Sequence, residues 1–259
     1  MQMPPDPCVP SEGIEEGLIR PTKRRGDPEV GPDAILVMVA GDLSHLLEAA
    51  GSRNRSDFEM GLFRLYRFEG SCRSSFSILG PFLGAPHAVM GMEKIIALGA
   101  KRIWSVGWCG SLQPDLKIGD LVIPTGAVCE EGTSAHYPIG DQAPTSDREL
   151  CSRLDFRLCQ EGRACKQGTI WTTDAPYREI PSKVRAYREK GVLAVDMEMS
   201  ALMTLAIYRS VRFAGLLVVS DELSDLTWRP GFRNPRFRKS CREAGEIILG
   251  VVDSPGAGG

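Results

Sequence analysis

Four short stretches set glycine, carboxylate or hydroxyl groups where buried strands should end: Ala40-Gly41-Asp42-Leu43-Ser44-His45, Gly107-Trp108-Cys109-Gly110-Ser111, Asp196-Met197-Glu198 and Ser220-Asp221-Glu222. Glycines let backbone amides approach a ligand closely, and amides at a helix start attract an anion. A carboxylate accepts bonds from sugar hydroxyls, and in a closed site it can hold a proton for a leaving group. Plainer readings stand beside these. Glu198 is also the acid that the first turn of a helix favours, Asp221, Glu222 and Asp225 read equally as a solvated acidic loop, and Cys109 reads as a small packing residue.

The elements that must carry these groups follow from the apolar pattern. Strands are expected at Ala34–Ala40, Ser75–Leu79, Arg102–Gly107, Leu121–Val128, Gly168–Thr172, Val192–Val195 and Ala214–Ser220, each a short β-branched or apolar run. Helices are expected at Pro86–Leu98, opened by proline and closed by Gly99, and at Met197–Arg209, with Met199, Leu202, Leu205 and Ala206 at helical spacing. Alternation of this kind predicts an α/β fold, in which ligands bind beyond the carboxyl ends of strands.

The chain has 259 residues, 42% hydrophobic and 25% charged, with a formal net charge of −2; this is enough to bury a large core and too balanced to attract nucleic acid or an anionic membrane. No apolar run is long enough for a membrane helix and no signal-peptide succession opens the chain, so a cytoplasmic location is the expectation. The eight cysteines lack a Cys-x-x-Cys pair, and His45, His87 and His136 stand far apart, which predicts reduced thiols and no metal site. Neither Gly-x-Gly-x-x-Gly nor a phosphate-loop lysine motif is present. Residues 1–32, rich in proline and broken by Lys23-Arg24-Arg25, read as an N-terminal arm, either a solvated lead-in or a segment crossing onto a neighbouring subunit. Residues 33–253 read as one domain and 254–259 as a flexible tail.

Taken together, Gly41-Asp42, Gly107 to Gly110 followed by Leu112-Gln113-Pro114 and Ile118-Gly119-Asp120, the Val-x-Met-Glu box at Val195 to Glu198, and Ser220-Asp221 resemble the nucleoside phosphorylase family. That family includes purine nucleoside and uridine phosphorylases and related nucleosidases. The loop Glu130 to Tyr137 is similar to one in its uridine phosphorylase-like members. The resemblance implies a three-layer fold, a mixed and curved sheet flanked by helices, in a homo-oligomer with active sites near subunit contacts. It implies cleavage of a nucleoside N-glycosidic bond with phosphate as co-substrate and no other cofactor.

By the same resemblance, Glu198 binds two ribose hydroxyls with Met197 packed against the sugar, and Asp221 protonates or bonds purine N7 as the base departs. Cys109, Gly110 and Asp196 match positions beside the base, as do Tyr177 and Arg178, where pyrimidine-acting members carry a glutamine that this chain lacks. Gly41, His45 and Trp108 match positions facing phosphate. There the chain departs from the family: His45 and Ser105 stand where arginines are found, and Trp108 replaces a small hydroxyl residue. Losing charge-assisted bonds worth about 1.5–3 kcal/mol each weighs against phosphate and keeps a water-using nucleosidase, or a non-catalytic nucleoside-binding protein, as alternatives.

Overall fold

The buried apolar runs become strands of one sheet, and the amphipathic segments between them cover both its faces. The computed structural model describes residues 17–51, 54–69 and 75–253. In chain order the elements are β1 (Asp33–Val37), α1 (Ala40–Ala50), β2 (Arg55–Glu59), β3 (Arg64–Glu69), β4 (Ser75–Gly80), α2 (Ala85–Ala97), β5 (Arg102–Ser111) and β6 (Leu121–Glu130). They continue with α3 (Arg148–Gln160), β7 (Cys165–Thr173), α4 (Pro181–Glu189), β8 (Ala194–Asp196), α5 (Met199–Tyr208), β9 (Arg212–Glu222), β10 (Arg229–Pro230) and α6 (Pro235–Asp253).

Strand order is β10-β9-β6-β7-β8-β5-β1-β4-β3-β2, with β9 also paired to β5. The centre, β4-β1-β5-β9, is parallel, and β1 is buried along its whole length, as a strand covered on both faces must be. Helices α2 and α5 pack on one face, through Val89, Met92, Ile95, Leu202 and Leu205. On the other lie α1, α3 and α6, with Leu43, Leu46, Leu150, Leu154, Ile247 and Ile248. The sheet is mixed and it closes locally: β9 bonds to β5 in parallel and to β6 in antiparallel, while β6-β7-β8-β5 completes the circuit. This five-strand ring bends the sheet so that several strand ends converge.

Several expectations change at element boundaries. The first strand stops at Val37, and Ala40 already begins α1, so Gly41 to His45 are helical rather than a loop; Leu43, Leu46 and Ala50 are buried on one side of that helix. β5 and β9 run to Ser111 and Glu222, because each continues to find a partner past the apolar run. The β2–β3 hairpin, charged and half exposed, carries too little alternation to be read from sequence. Residues 17–32 do not stand away from the domain. Lys94 Nζ donates to Thr22 O at 2.7 Å and pairs with Asp27 at 2.6 Å, Val30 is buried, and the amides of Lys101 and Arg102 donate to Pro32 O. The rest of the expected arm, residues 1–16, and the tail 254–259 lie outside the described residues. No helix among the described residues is long and apolar enough to cross a membrane.

At the amino end of β1, buried Asp33 accepts both Nε and Nη2 of Arg102, at 2.9 and 2.5 Å, and Trp104 Nε1 at 3.0 Å. One carboxylate thereby satisfies a guanidinium and a fully buried indole. Asp33→Ala should lower unfolding free energy by about 2–4 kcal/mol in urea titrations, since it strands both donors. A loss below about 1 kcal/mol would contradict that role for the carboxylate.

Candidate active site

A break in register builds the site. β5 and β9 pair as Cys109↔Val219 and then Gly110↔Asp221, so Ser220 is an extra residue on β9. An inserted residue bends a strand and re-aims the next side chain. Here it brings Asp221 against Gly110, where an added Cβ would lie 3.1 Å from Asp221 Oδ2 and 2.8 Å from Leu223 Cδ1. Glycine at 110 is thus a condition of Asp221's position. The same Gly110 pairs with Val195 on β8, so Asp221, Gly110 and the strand leading to Glu198 lie side by side across three strands.

Glu198 follows β8 at the entry to α5 and is 7% exposed. Its Oε1 accepts the amide of Gly84 at 2.7 Å; Gly84, at φ 78°, takes a left-handed conformation that glycine adopts without strain. Burial, and then the neighbouring charge of Asp196, raise the Glu198 carboxyl above the usual range. The resemblance set Asp196 beside the base, but its oxygens are already engaged. Oδ1 accepts Thr172 Oγ1 at 2.6 Å, and Oδ2 accepts the amides of Glu198 and Met199 at 3.0 and 2.8 Å. Asp196 caps α5 and holds the backbone of Glu198. Met197, beside it, is half-buried.

Behind Glu198 lies a buried polar chain that the sequence did not disclose. Thr172 Oγ1 accepts the Ser200 amide at 3.0 Å, and Ser200 Oγ donates to Glu131 Oε1 at 2.9 Å. Glu131 Oε2 accepts the amides of Thr133 and Ser134 at 2.6 and 3.0 Å, docking that loop on α5. The spacing of Glu131 to the next amides is a turn signal, whereas its bond to Ser200 depends on the fold.

Asp221 is raised by burial, against the opposing hydrogen bonds of Ser220 and Trp228. Glu179, on the loop after β7, is pushed up to about 7 by burial and then by Asp221. That loop therefore turns Glu179 inward, while its neighbours Tyr177, 100% exposed, and Arg178 face outward in this chain. Cys109 is buried and its thiol held far up, first by burial and then by Asp196 and Asp221, which suits packing and not nucleophilic attack. His87 is structural, accepting the Leu83 amide at 3.4 Å and lying edge-on to Phe82. His136 is exposed on a short 3-10 turn.

Of the residues at the positions expected to face phosphate, Trp108 and Ser105 are engaged with other side chains, whereas Gly41 stays open. Trp108 Nε1 donates to Asp42 Oδ2 at 2.7 Å, and its ring packs against Phe237 and Phe232 at centroid distances of 5.0 and 5.9 Å. His45 lines a cleft of about 460 Å³ between α1 and α6 with Asp42, Cys241, Arg242 and Glu246. The Ser105 hydroxyl is buried against Met199 Sδ at 3.4 Å. Gly41, exposed in the first turn of α1, keeps open space at its Cα.

Burying Glu198 with a raised carboxyl has a linkage consequence. A folded-state value above the unfolded one favours the native state at low pH, and that contribution is lost as pH rises through the folded value. Glu198→Gln should therefore melt higher than the wild type, with a margin that widens as pH climbs above the ordinary carboxyl range. Thermal melts across pH check this, and a constant or negative margin would contradict it.

The model of the Phosphorylase superfamily matches residues 39–253. A DeoD-type purine nucleoside phosphorylase of Caldanaerobacter subterraneus subsp. tengcongensis is 36% identical over 162 residues, 61% of this chain and 70% of that one. A guanosine phosphorylase of Halorubrum lacusprofundi is 28% identical over 150 residues, 58% of this chain and 62% of that one. In fold, the chain is similar to a solved Plasmodium knowlesi homolog of the P. falciparum PNP, with a TM-score of 0.74 and 22% identity over 90% of this chain and 94% of that one. With the strand ends carrying Gly110, Glu198 and Asp221 all inside the matched span, the chain belongs to the phosphorylase superfamily.

Proposed function

We infer that this protein is a purine nucleoside phosphorylase, cleaving the N-glycosidic bond with phosphate as co-substrate to give free base and pentose 1-phosphate. The observation that carries this reading is the register break that sets Asp221 against Gly110, next to the strand that delivers Glu198. Glu198 accepts the two ribose hydroxyls, with Met197 against the sugar. As the bond stretches, positive charge grows on the sugar ring, and it favours the ionised carboxylate that burial otherwise opposes. Asp221 supplies the proton that stabilises the departing purine, in a site whose burial lets a carboxyl keep one. Cys109 and Gly110 form the wall beside the base.

Phosphate meets this chain at the amino end of α1, where Gly41 offers an open approach to free amides. No other cofactor enters the reaction. The chain works in the cytoplasm; it acts there as a homo-oligomer, and exposed Leu62, Leu83 and Met90 near the Gly84 loop that touches Glu198 support the oligomer. A second reading, water as nucleophile, is favoured by one arrangement: Trp108 lies on Asp42 and Ser105 on Met199, so two of the expected anion contacts are engaged elsewhere.

Incubation with inosine, adenosine, methylthioadenosine and uridine, with and without phosphate, separates the readings. Base release from a purine nucleoside that requires phosphate is expected. Equal release without phosphate would establish the water reaction, and tight binding with no release would establish a binding protein. Asp221→Ala should reduce purine cleavage more than about tenfold, and near-normal turnover would remove it from the mechanism.

A further inference from the structure

Two neutral donors hold Asp221: Ser220 Oγ donates to Oδ1 at 2.6 Å, and Trp228 Nε1 donates to Oδ2 at 3.0 Å. The Ser220 hydroxyl also lies 3.2 Å from Cys109 O, and with one proton it serves one acceptor at a time. Trp228 sits in the turn between β9 and β10. That turn is internally braced: Leu226, at φ 63°, donates its amide to Leu223 O at 2.9 Å, the Thr227 amide donates to Asp225 Oδ1 at 3.1 Å, and Arg229 pairs with Asp225. β10 then folds back so that Pro230 lies opposite Asp221.

The Trp228 ring is 60% exposed, with Phe232 at a centroid distance of 6.4 Å. A large apolar ring stays in solvent while its one polar atom reaches into the site. Groups face Asp221 from every side: Glu179 from the loop after β7 and the Cys109 thiol from β5, both of which it raises, with Ser220 from its own strand and Trp228 from the turn donating to it. The effects resolved on Asp221 itself include no cation among the described residues. Burial therefore favours the protonated acid, and the indole hydrogen bond favours the carboxylate.

We propose that Trp228 is a positioning residue for the leaving base: its indole N–H holds Asp221 Oδ2 in the empty site and yields that oxygen to purine N7 when the base enters beside the ring. On base entry Asp221 takes a proton from solvent. In the cleavage step its O–H bond breaks as N7–H forms, the electron pair of the C1′–N9 bond passes into the purine, and a phosphate oxygen donates the pair that forms the new bond to C1′. The carboxylate left behind regains the indole N–H. This inference rests on the purine-cleaving reading above.

The test uses the full chain and Trp228→Phe, which keeps a ring and removes the donor. With inosine, the high-pH limb of kcat/KM should move upward by about one pH unit, because a hydrogen bond that favours the carboxylate is gone. With an N7-methylated purine nucleoside, whose ring needs no proton at N7, neither protein should show that limb. A limb unmoved by the substitution overturns the proposal. So does a loss that is uniform across pH on both nucleosides, which marks a merely structural role. If the wild type cleaves neither of these nor adenosine or methylthioadenosine, the purine-cleaving reading fails instead, and the free protein decides on Trp228. There, the emission difference between wild type and Trp228→Phe should follow a carboxyl titration that Asp221→Asn abolishes, and its absence in the wild type overturns the contact.

Discussion

Between Cys109 and Gly110, β9 carries one residue more than β5 can match, and the site depends on how that surplus is absorbed. Ser220 takes it up, so Asp221 arrives beside Gly110 instead of continuing the alternation of the strand. The accommodation requires a residue without Cβ at 110 and a small side chain at 220 that can bond locally to either Cys109 O or Asp221. Because β5 pairs with β8 as well as with the bulged β9, it joins both acidic exits. Asp221 and Glu198 are thereby positioned by backbone pairing, which is stiffer than a loop.

The acids gathered at this end of the ring are buried with few compensating cations. Asp196 is stabilised by one hydroxyl and two amides, Glu131 by a hydroxyl and two amides, and Glu198 by the Gly84 amide. Amide and hydroxyl donors lessen the burial penalty without fully neutralising it, so carboxyl groups remain that hold protons at unusually high pH. Such an arrangement lowers stability wherever a buried carboxyl must ionise. The polar chain Thr172-Ser200-Glu131 spreads the same design back into α5 and the loop at 131–134.

Aromatic residues define the other side of the site. Trp108, Phe232 and Phe237 form one cluster, reached from Trp228 through Phe232, so both indoles that bond a site carboxylate belong to a connected apolar surface. In each case a neutral N–H takes a place that a charged donor would fill more strongly. An indole N–H satisfies a carboxylate without a counter-charge, and it releases the oxygen more readily than a guanidinium does.

The order of short apolar runs along the chain was sufficient to predict an α/β fold, and the motifs around Gly110, Glu198 and Asp221 were sufficient for the resemblance to its family, because those signals are local and fall in one linear order. Helix α1 was not legible, since Ala40 to His45 resemble a loop until Leu43 and Leu46 pack against the sheet and α6. Nor were the inward turn of Glu179 past exposed Tyr177 and Arg178, the capping role of Asp196, or the bonding of Trp108 to Asp42. The residue types and their order belong to the sequence alone. Which oxygen meets which donor was decided only when the strands closed their ring, because a hydrogen bond of 3 Å between residues far apart in the chain depends on strand register, and one residue of slip redirects the side chain.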